Sequence, residues 1–177
     1  MNGSKRRMRA DAEGLLGSRF ISGTLVAIAA LGRSLGTARS GPRAEGFARL
    51  ESALADLSRI FYYAEGRGEA ATLREELDFV ELYLRLQAFR FGDRLGYRIA
   101  ADDGTLGRGF SRLASFGPLE LAVADALEWS SGKAFIAVDV VPLENGDLEL
   151  RISRGLSSEG PMENVRAIRV AHRRTLR

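Results

Sequence analysis

The 177-residue sequence predicts an α+β fold: an N-terminal antiparallel helical hairpin followed by an α/β sandwich with helices on one face of a mixed sheet. Two observations indicate the hairpin. Apolar residues recur at three- and four-residue steps, and the segment 36–43, which contains glycine and proline, interrupts them. A third observation indicates the sheet, because two alternating segments after residue 130 flank the turn sequence Glu144-Asn-Gly-Asp147. The predicted domains are residues 1–70 and 71–177.

The hairpin consists of two predicted helices. The first covers residues 9–36, and the second ends within the segment 65–70, which contains two glycines. The second helix has a clean apolar stripe, formed by Phe47, Leu50, Leu54, Leu57, Ile60 and Phe61. Because such faces need a partner, we expect two hairpins to pair as a dimeric four-helix bundle.

The α/β part begins with a helix whose start has a capping-box pattern, Thr72 followed by Glu75, and whose predicted stop is Gly92. The remaining elements follow from alternation, turn residues and a proline in a first helical turn. They are a strand at 95–101, a loop at 102–109, a helix from Pro118 to Trp129, strands at 134–141 and 148–152, and a final short helix at 162–172.

Composition excludes several kinds of site. The chain has no cysteine, which removes disulfides, thiolate catalysis and cysteine-based zinc sites. The net charge is only +3 and no helix has a dense Lys/Arg stripe, so we expect no nucleic acid partner. The longest apolar run, Phe20 to Leu31, is shorter than the roughly 20 residues that span a bilayer. We therefore expect no membrane span and a cytoplasmic protein.

Residues 73–95 read LREELDFVELYLRLQAFRFGDRL. A Leu-x-x-Glu-Leu start, a Tyr-Leu pair and an Arg-Phe-x-Asp-Arg-Leu end occur in this order. This segment resembles the signature of LytS-type sensor histidine kinases. The polar and aromatic residues that carry the resemblance are Glu76, Tyr83, Arg90, Phe91, Asp93 and Arg94. The resemblance implies a dimerisation and phosphoacceptor module in the hairpin and a GHKL-type ATPase-like domain after it.

The residue that would accept the phosphoryl group is replaced. The phosphoacceptor segment of the family corresponds to GSRFISGTLV, residues 17–26, and Arg19 stands at the histidine position. A guanidinium stays cationic and cannot accept a phosphoryl group as imidazole does. The one histidine of the chain is His172, outside the predicted hairpin.

The resemblance also implies a nucleotide site, and its elements are incomplete. In the helical segment 122–130, Ala124 stands at the position of the assisting Glu and Asp125 at that of the Mg²⁺-binding Asn. Asp125 keeps a carboxylate that could bind Mg²⁺. The glycine-rich elements correspond to Gly155, Gly160 and Asn164, without the adenine-binding Asp, and the last strands of the family have no counterpart. We therefore expect a truncated ATPase-like domain with no catalytic residue and, at most, residual Mg-ATP binding.

The functional hypothesis is a degenerate histidine kinase homologue, a pseudokinase of a two-component phosphorelay. Its expected partners are a second copy, a cognate histidine kinase or a response regulator. Two alternatives remain open. One is a functional sensor histidine kinase with residual ATP binding or transfer in trans, and the other is a basic nucleic-acid-binding regulator.

Overall fold

A computed structural model describes residues 24–26, 28–30, 32, 43–66 and 70–170. It shows an α+β protein with a mixed sheet, as the sequence predicts. Residues 24–26, 28–30 and 32 are helical. The longer helices are α1 (Arg43–Ala64), α2 (Leu73–Phe91) and α3 (Phe116–Trp129). The strands are β1 (Ala70–Thr72), β2 (Leu95–Ala100), β3 (Gly109–Ser111), β4 (Ala134–Pro142), β5 (Leu148–Gly155) and β6 (Glu163–Val170).

The main sheet has the strand order β2-β4-β5-β6. Strands β2 and β4 are parallel, whereas β5 is antiparallel to both of its neighbours. The predicted turn joins β4 to β5, and Gly146 within it has a φ of 82°, a value that favours glycine. The Leu143 amide there donates a hydrogen bond to the Asp147 carbonyl at 2.9 Å. The sheet is therefore mixed because of one parallel crossover through α3.

The two faces of this sheet differ. Alternate residues of β4 and β5, such as Ile136, Val138, Leu150 and Ile152, are fully buried and share one core with residues of the helices. The opposite face carries charged pairs. They are Arg98–Asp139, Arg151–Glu149 and Arg169–Glu149, of which Arg151–Glu149 lies within β5 and the other two join neighbouring strands. One face packs against helices and the other is polar, which is the pattern of a two-layer structure.

Two features hold α2 in place. The predicted capping box is confirmed, since the Thr72 hydroxyl accepts from the Glu75 amide and the Glu75 carboxylate accepts from the Thr72 amide. Further along the chain, the α1 residue Asp56 is nearly buried and forms a two-hydrogen-bond ion pair with Arg85 on α2, at 2.5 Å for the Nε contact. This pair joins the second hairpin helix to the signature helix.

The structure corrects the prediction for the C-terminal segment. Residues 163–170 form strand β6 and not the predicted helix. They pair along β5, with a register shift between Ile152 and Ser153. The free edge of β5 needs hydrogen-bond partners, and β-branched residues such as Val165 and Ile168 suit a strand.

The short pair of strands β1 and β3 was not predicted, because each has only three residues. The other predicted elements agree with the structure within three residues, apart from the first helix, most of which lies outside the described residues. Helix α3 begins two residues before Pro118, which leaves Pro118 in the first turn. None of the described helices is both long and apolar enough to cross a membrane.

Candidate functional site

The signature residue Glu76 lies in the first turns of α2 and has no solvent exposure. Its carboxyl group receives four hydrogen bonds. The Tyr63 hydroxyl donates to Oε2 at 2.6 Å, and the Leu113 amide donates to the same oxygen at 2.9 Å. The Ser115 amide and hydroxyl donate to Oε1 at 2.9 and 2.6 Å. One carboxyl group thus contacts α1 and the turn that precedes α3.

Burial controls the protonation chemistry of this group. Removal from water raises the pKa of Glu76, and the hydrogen bonds from Ser115, Tyr63 and Leu113 offset part of that rise. Burial and the neighbouring Glu76 carboxyl also raise the pKa of Tyr63, so the phenol keeps its proton and remains a donor. With four donors, the hydrogen-bonding capacity of this buried carboxyl group is satisfied. Removal of the carboxyl group or of a donor therefore leaves a buried polar group without a hydrogen-bond partner.

The turn at residues 112–115 has an unusual backbone. Leu113 is buried and has a φ of 59°, in the left-handed region that is costly for a residue with a Cβ. Its amide is the one that donates to Glu76. The preceding Arg112 donates to the Tyr63 carbonyl at 3.0 Å and lies 4.5 Å from the centre of the Tyr63 ring. The turn is therefore held by contacts to α1 and α2.

Aromatic rings surround this polar network. Tyr63 stacks on Phe79 with ring centres 5.3 Å apart. Phe116, at the start of α3, makes edge contacts with Phe79 and Tyr83 at 6.4 and 6.0 Å. Such geometries stabilise aromatic pairs by about 0.5–1.5 kcal/mol beyond their burial. The rings shield the Glu76 network from water and join the same three helices.

The other signature residues extend from this region towards β2. Tyr83 is fully buried, and its hydroxyl accepts a hydrogen bond from the side-chain NH₂ group of Gln87 at 2.8 Å. Burial raises the pKa of the Tyr83 hydroxyl. Arg90 donates to the side-chain oxygen Oε1 of Gln87 at 3.0 Å and lies 4.8 Å from the Phe91 ring centre.

Two further signature residues, Asp93 and Arg94, are exposed in a 3₁₀ turn, where Arg94 donates to the Gly132 carbonyl at 3.3 Å. The signature therefore combines core residues with residues that fix the junction between α2 and β2.

The predicted nucleotide-site residues lie on separate elements. Ala124 is exposed and Asp125 half-buried on α3. Gly160 lies in the loop after β5 and donates to the Ser157 hydroxyl at 3.1 Å, while Asn164 is exposed on β6 opposite Ser153. Among the residues with described placement, no group of three or more Asp, Glu, His or Cys side chains could hold a metal ion. The nucleotide and Mg²⁺ assignments therefore stay predictions.

Gly155, at the end of β5, has a packing role. A Cβ at this position would lie 2.5 Å from the Met162 sulfur and 3.0 Å from the Pro161 carbonyl oxygen. The glycine lets the chain fold back closely between β5 and β6. Close packing therefore explains the glycine at this position without a role in phosphate binding.

The predicted phosphoacceptor position, Arg19, and the single histidine, His172, both lie outside the described residues. Thr24, in the same sequence segment as Arg19, is fully buried. The sequence interpretation missed the partners of Glu76, namely Tyr63, Leu113 and Ser115. No local signal marks them, because they are separated from Glu76 by 13, 37 and 39 residues along the chain.

Among known proteins, a solved structure and a family model are similar to parts of this chain. The chain is similar in structure to the histidine kinase domain from the Erythrobacter litoralis EL346 blue-light activated histidine kinase, with 10% identity, a TM-score of 0.35, and coverage of 73% of this chain and 71% of that one. The comparison with curated proteins gives no match. Residues 20–95 match the family model described as histidine kinase. This match supports a relationship between the chain and the histidine kinase family.

Proposed function

We propose that the chain is a degenerate histidine kinase homologue, a pseudokinase that acts by binding other proteins and not by phosphoryl transfer. The observation that carries the proposal is the position of its single histidine. The family match ends at residue 95, whereas the histidine is His172. The matched segment therefore contains no imidazole to accept a phosphoryl group.

The replaced residues support the same conclusion. Autophosphorylation needs a nucleophilic nitrogen and a group that assists the transfer. By the family resemblance these positions are occupied by Arg19 and Ala124. A guanidinium is a cation that hydrogen-bonds phosphate but does not become phosphorylated in this chemistry, and a methyl group transfers no proton. Asp125 remains as a carboxylate on α3, so weak Mg-ATP binding is compatible with the proposal.

The buried residues of the signature lie where the hairpin helix α1 packs against the α/β part of the chain. Glu76 and Tyr83 are fully buried, and Asp56 with Arg85 connects α1 to α2. Buried polar networks of this kind hold one relative arrangement of helices. A chain that keeps the join and lacks the chemical groups is suited to a scaffold role.

The partner surface that we propose is the outward face of α1. Phe47 and Leu54 on this helix are 47% and 45% exposed, although they belong to its apolar stripe. Leu25 and Val26, on the helical segment before α1, are also exposed. We propose that these residues pair with a second copy in a helical bundle, or with a cognate histidine kinase. A response regulator of a cytoplasmic phosphorelay is the further partner.

The test combines labelling with nucleotide titration. The protein is incubated with γ-labelled ATP and Mg²⁺, with the Arg19→His variant beside it, and a non-hydrolysable ATP analogue is titrated by calorimetry. We expect no label on the wild-type chain. Label that is stable to base and labile to acid would overturn the proposal.

The Arg19→His variant separates the two deficiencies. If only the phosphoacceptor is missing, this variant becomes labelled. If the nucleotide site is also degenerate, it stays unlabelled and the analogue gives no heat. Light scattering tests the bundle separately, because a monomer at high protein concentration would contradict pairing through α1.

A further inference from the structure

We propose that the Glu76 carboxyl group is a coupling element, which transmits a change at the C-terminal end of α1 to the N-terminal end of α3 and in the reverse direction. The coupling is a property of the fold and can be tested whether or not the chain is a pseudokinase. Its use in signalling rests on the proposed function, in which α1 carries the partner surface.

The first argument is that two elements share one small group. Tyr63 lies one residue before the end of α1, and Ser115 directly precedes α3. Their hydroxyl groups donate to the two oxygens of Glu76, both at 2.6 Å. The carboxyl oxygens are rigidly connected, so a displacement of one donor shifts the acceptor of the other. Coupling requires such a contiguous physical connection.

The second argument is that a lost hydrogen bond cannot be replaced within the buried network. Glu76 and Ser115 are both completely buried, so water cannot replace a lost partner within the network. A buried donor or acceptor that loses its partner costs about 1–3 kcal/mol. Movement of Tyr63 away from Glu76 therefore favours rearrangement of the whole group over the loss of a single hydrogen bond.

The third argument is that the turn before α3 can adopt a second backbone conformation. Leu113, with its φ of 59°, occupies a conformation that costs an L-residue of order 1 kcal/mol, and its amide is held by Glu76. If the Glu76 carboxyl moves, Leu113 can relax to negative φ, which rotates the peptide that leads into α3. Small shifts are amplified where a segment has two discrete arrangements.

A second link runs parallel to the carboxyl. Arg112 contacts both the carbonyl and the ring of Tyr63, and the Tyr63 ring stacks on Phe79, which touches Phe116 at the start of α3. This link packs the same two helix ends together. It orients Tyr63 and ends at Phe116, the chain neighbour of Ser115, so its effect must be separated from that of the carboxyl by removing the carboxyl.

Hydrogen exchange measured by mass spectrometry tests the coupling on the full chain. Tyr63→Phe removes one donor at the α1 end and keeps the ring. We expect exchange of the amides of residues 113–117 and 119 to accelerate by about fivefold or more, the lower end of typical coupling. Ser115→Ala should in turn accelerate exchange at the end of α1, residues 60–64. The matched controls are Tyr62→Phe, an 85% exposed neighbour, and Ser131→Ala, an exposed serine after α3.

The Glu76→Met background, in which the side chain has no group that accepts these hydrogen bonds, decides the role of the carboxyl. In that background, Tyr63→Phe should no longer affect the amides of residues 113–117 and 119. If this variant does not fold, the Tyr63→Phe/Ser115→Ala double variant still tests whether the two helix ends are coupled, because coupled residues have non-additive effects on exchange. Effects confined to the mutated helix end, or strictly additive effects, would overturn the proposal. Equal acceleration at the buried strand residues 136–138 would indicate general destabilisation and would also overturn it.

Discussion

The Glu76→Gln substitution offers a quantitative check of the buried network. Glutamine has the shape of glutamate, but one of its two terminal atoms is a donor. Its carbonyl oxygen can accept both hydrogen bonds from Ser115, and its NH₂ group then faces the Tyr63 hydroxyl and the Leu113 amide. The tyrosine hydroxyl can turn to accept, but the Leu113 amide cannot. A buried amide without an acceptor costs about 1–3 kcal/mol.

The pH dependence of this cost has a definite sign. Burial raises the pKa of Glu76 in the folded chain above its value in the unfolded chain. The folded state therefore binds the Glu76 proton more tightly than the unfolded state does. The stability that this protonation contributes is complete below the pKa of Glu76 in the unfolded chain, and it is lost as pH rises through the pKa in the folded chain. Glutamine does not titrate. The stability difference between wild type and Glu76→Gln should therefore be largest in acid and decrease towards neutral pH, by about 1.4 kcal/mol per unit of pKa shift.

Urea unfolding of both proteins at about pH 4 and at neutral pH measures this difference. The neighbouring ionisable groups cancel in the comparison. Glu75 and Arg112 are present in both proteins, and the raised pKa of Tyr63 keeps its phenol protonated throughout. Glu128→Gln, an exposed site on α3, is the matched control. A difference that stays constant or grows with pH would refute the reasoning, as would a glutamine variant as stable as wild type.

Three other substitutions test the remaining contacts by urea or thermal unfolding. Gly155→Ala should cost about 1–3 kcal/mol, because its Cβ would overlap the Met162 sulfur, which lies 2.5 Å from that position. Arg85→Met leaves the buried Asp56 carboxylate without its partner and should cost about 1–3 kcal/mol, reduced from the value for fully buried pairs because Arg85 is 42% exposed. Thr72→Ala removes the capping box of α2 and should cost about 1 kcal/mol.

For each of these three predicted stability losses, one result would contradict the prediction. A Gly155→Ala protein with wild-type stability would mean that the glycine is not needed for packing. If the Asp56→Asn/Arg85→Met double variant is no more stable than Arg85→Met alone, the cost does not come from an unpaired carboxylate. If Thr72→Ala lowers stability no more than Ser131→Ala, the cap contributes nothing measurable.

Local chemistry was sufficient to predict much of the fold. The capping box at Thr72 and the end of α2 at Gly92 depend on residues within four positions of each other, so the sequence displays them directly. The same holds for the β4–β5 turn with its glycine at positive φ. Strand β6 was mistaken for a helix because its state depends on β5, which supplies its hydrogen-bond partners. Pairing between segments overrides weak local preference.

For the candidate site too, some properties follow from the sequence and others only from the tertiary structure. The sequence by itself determined that the chain has one histidine. Through the family resemblance it also predicts that Arg19 and Ala124 stand at the chemical positions and that Glu76 belongs to the signature. Only the tertiary structure showed why Glu76 has a constrained environment, because its partners come from residues 13 to 39 positions away. Covalent chemistry depends on residue identity, which is written in the sequence. The burial and hydrogen bonding of a carboxyl group depend on which segments pack around it, and that is decided only when the whole chain folds.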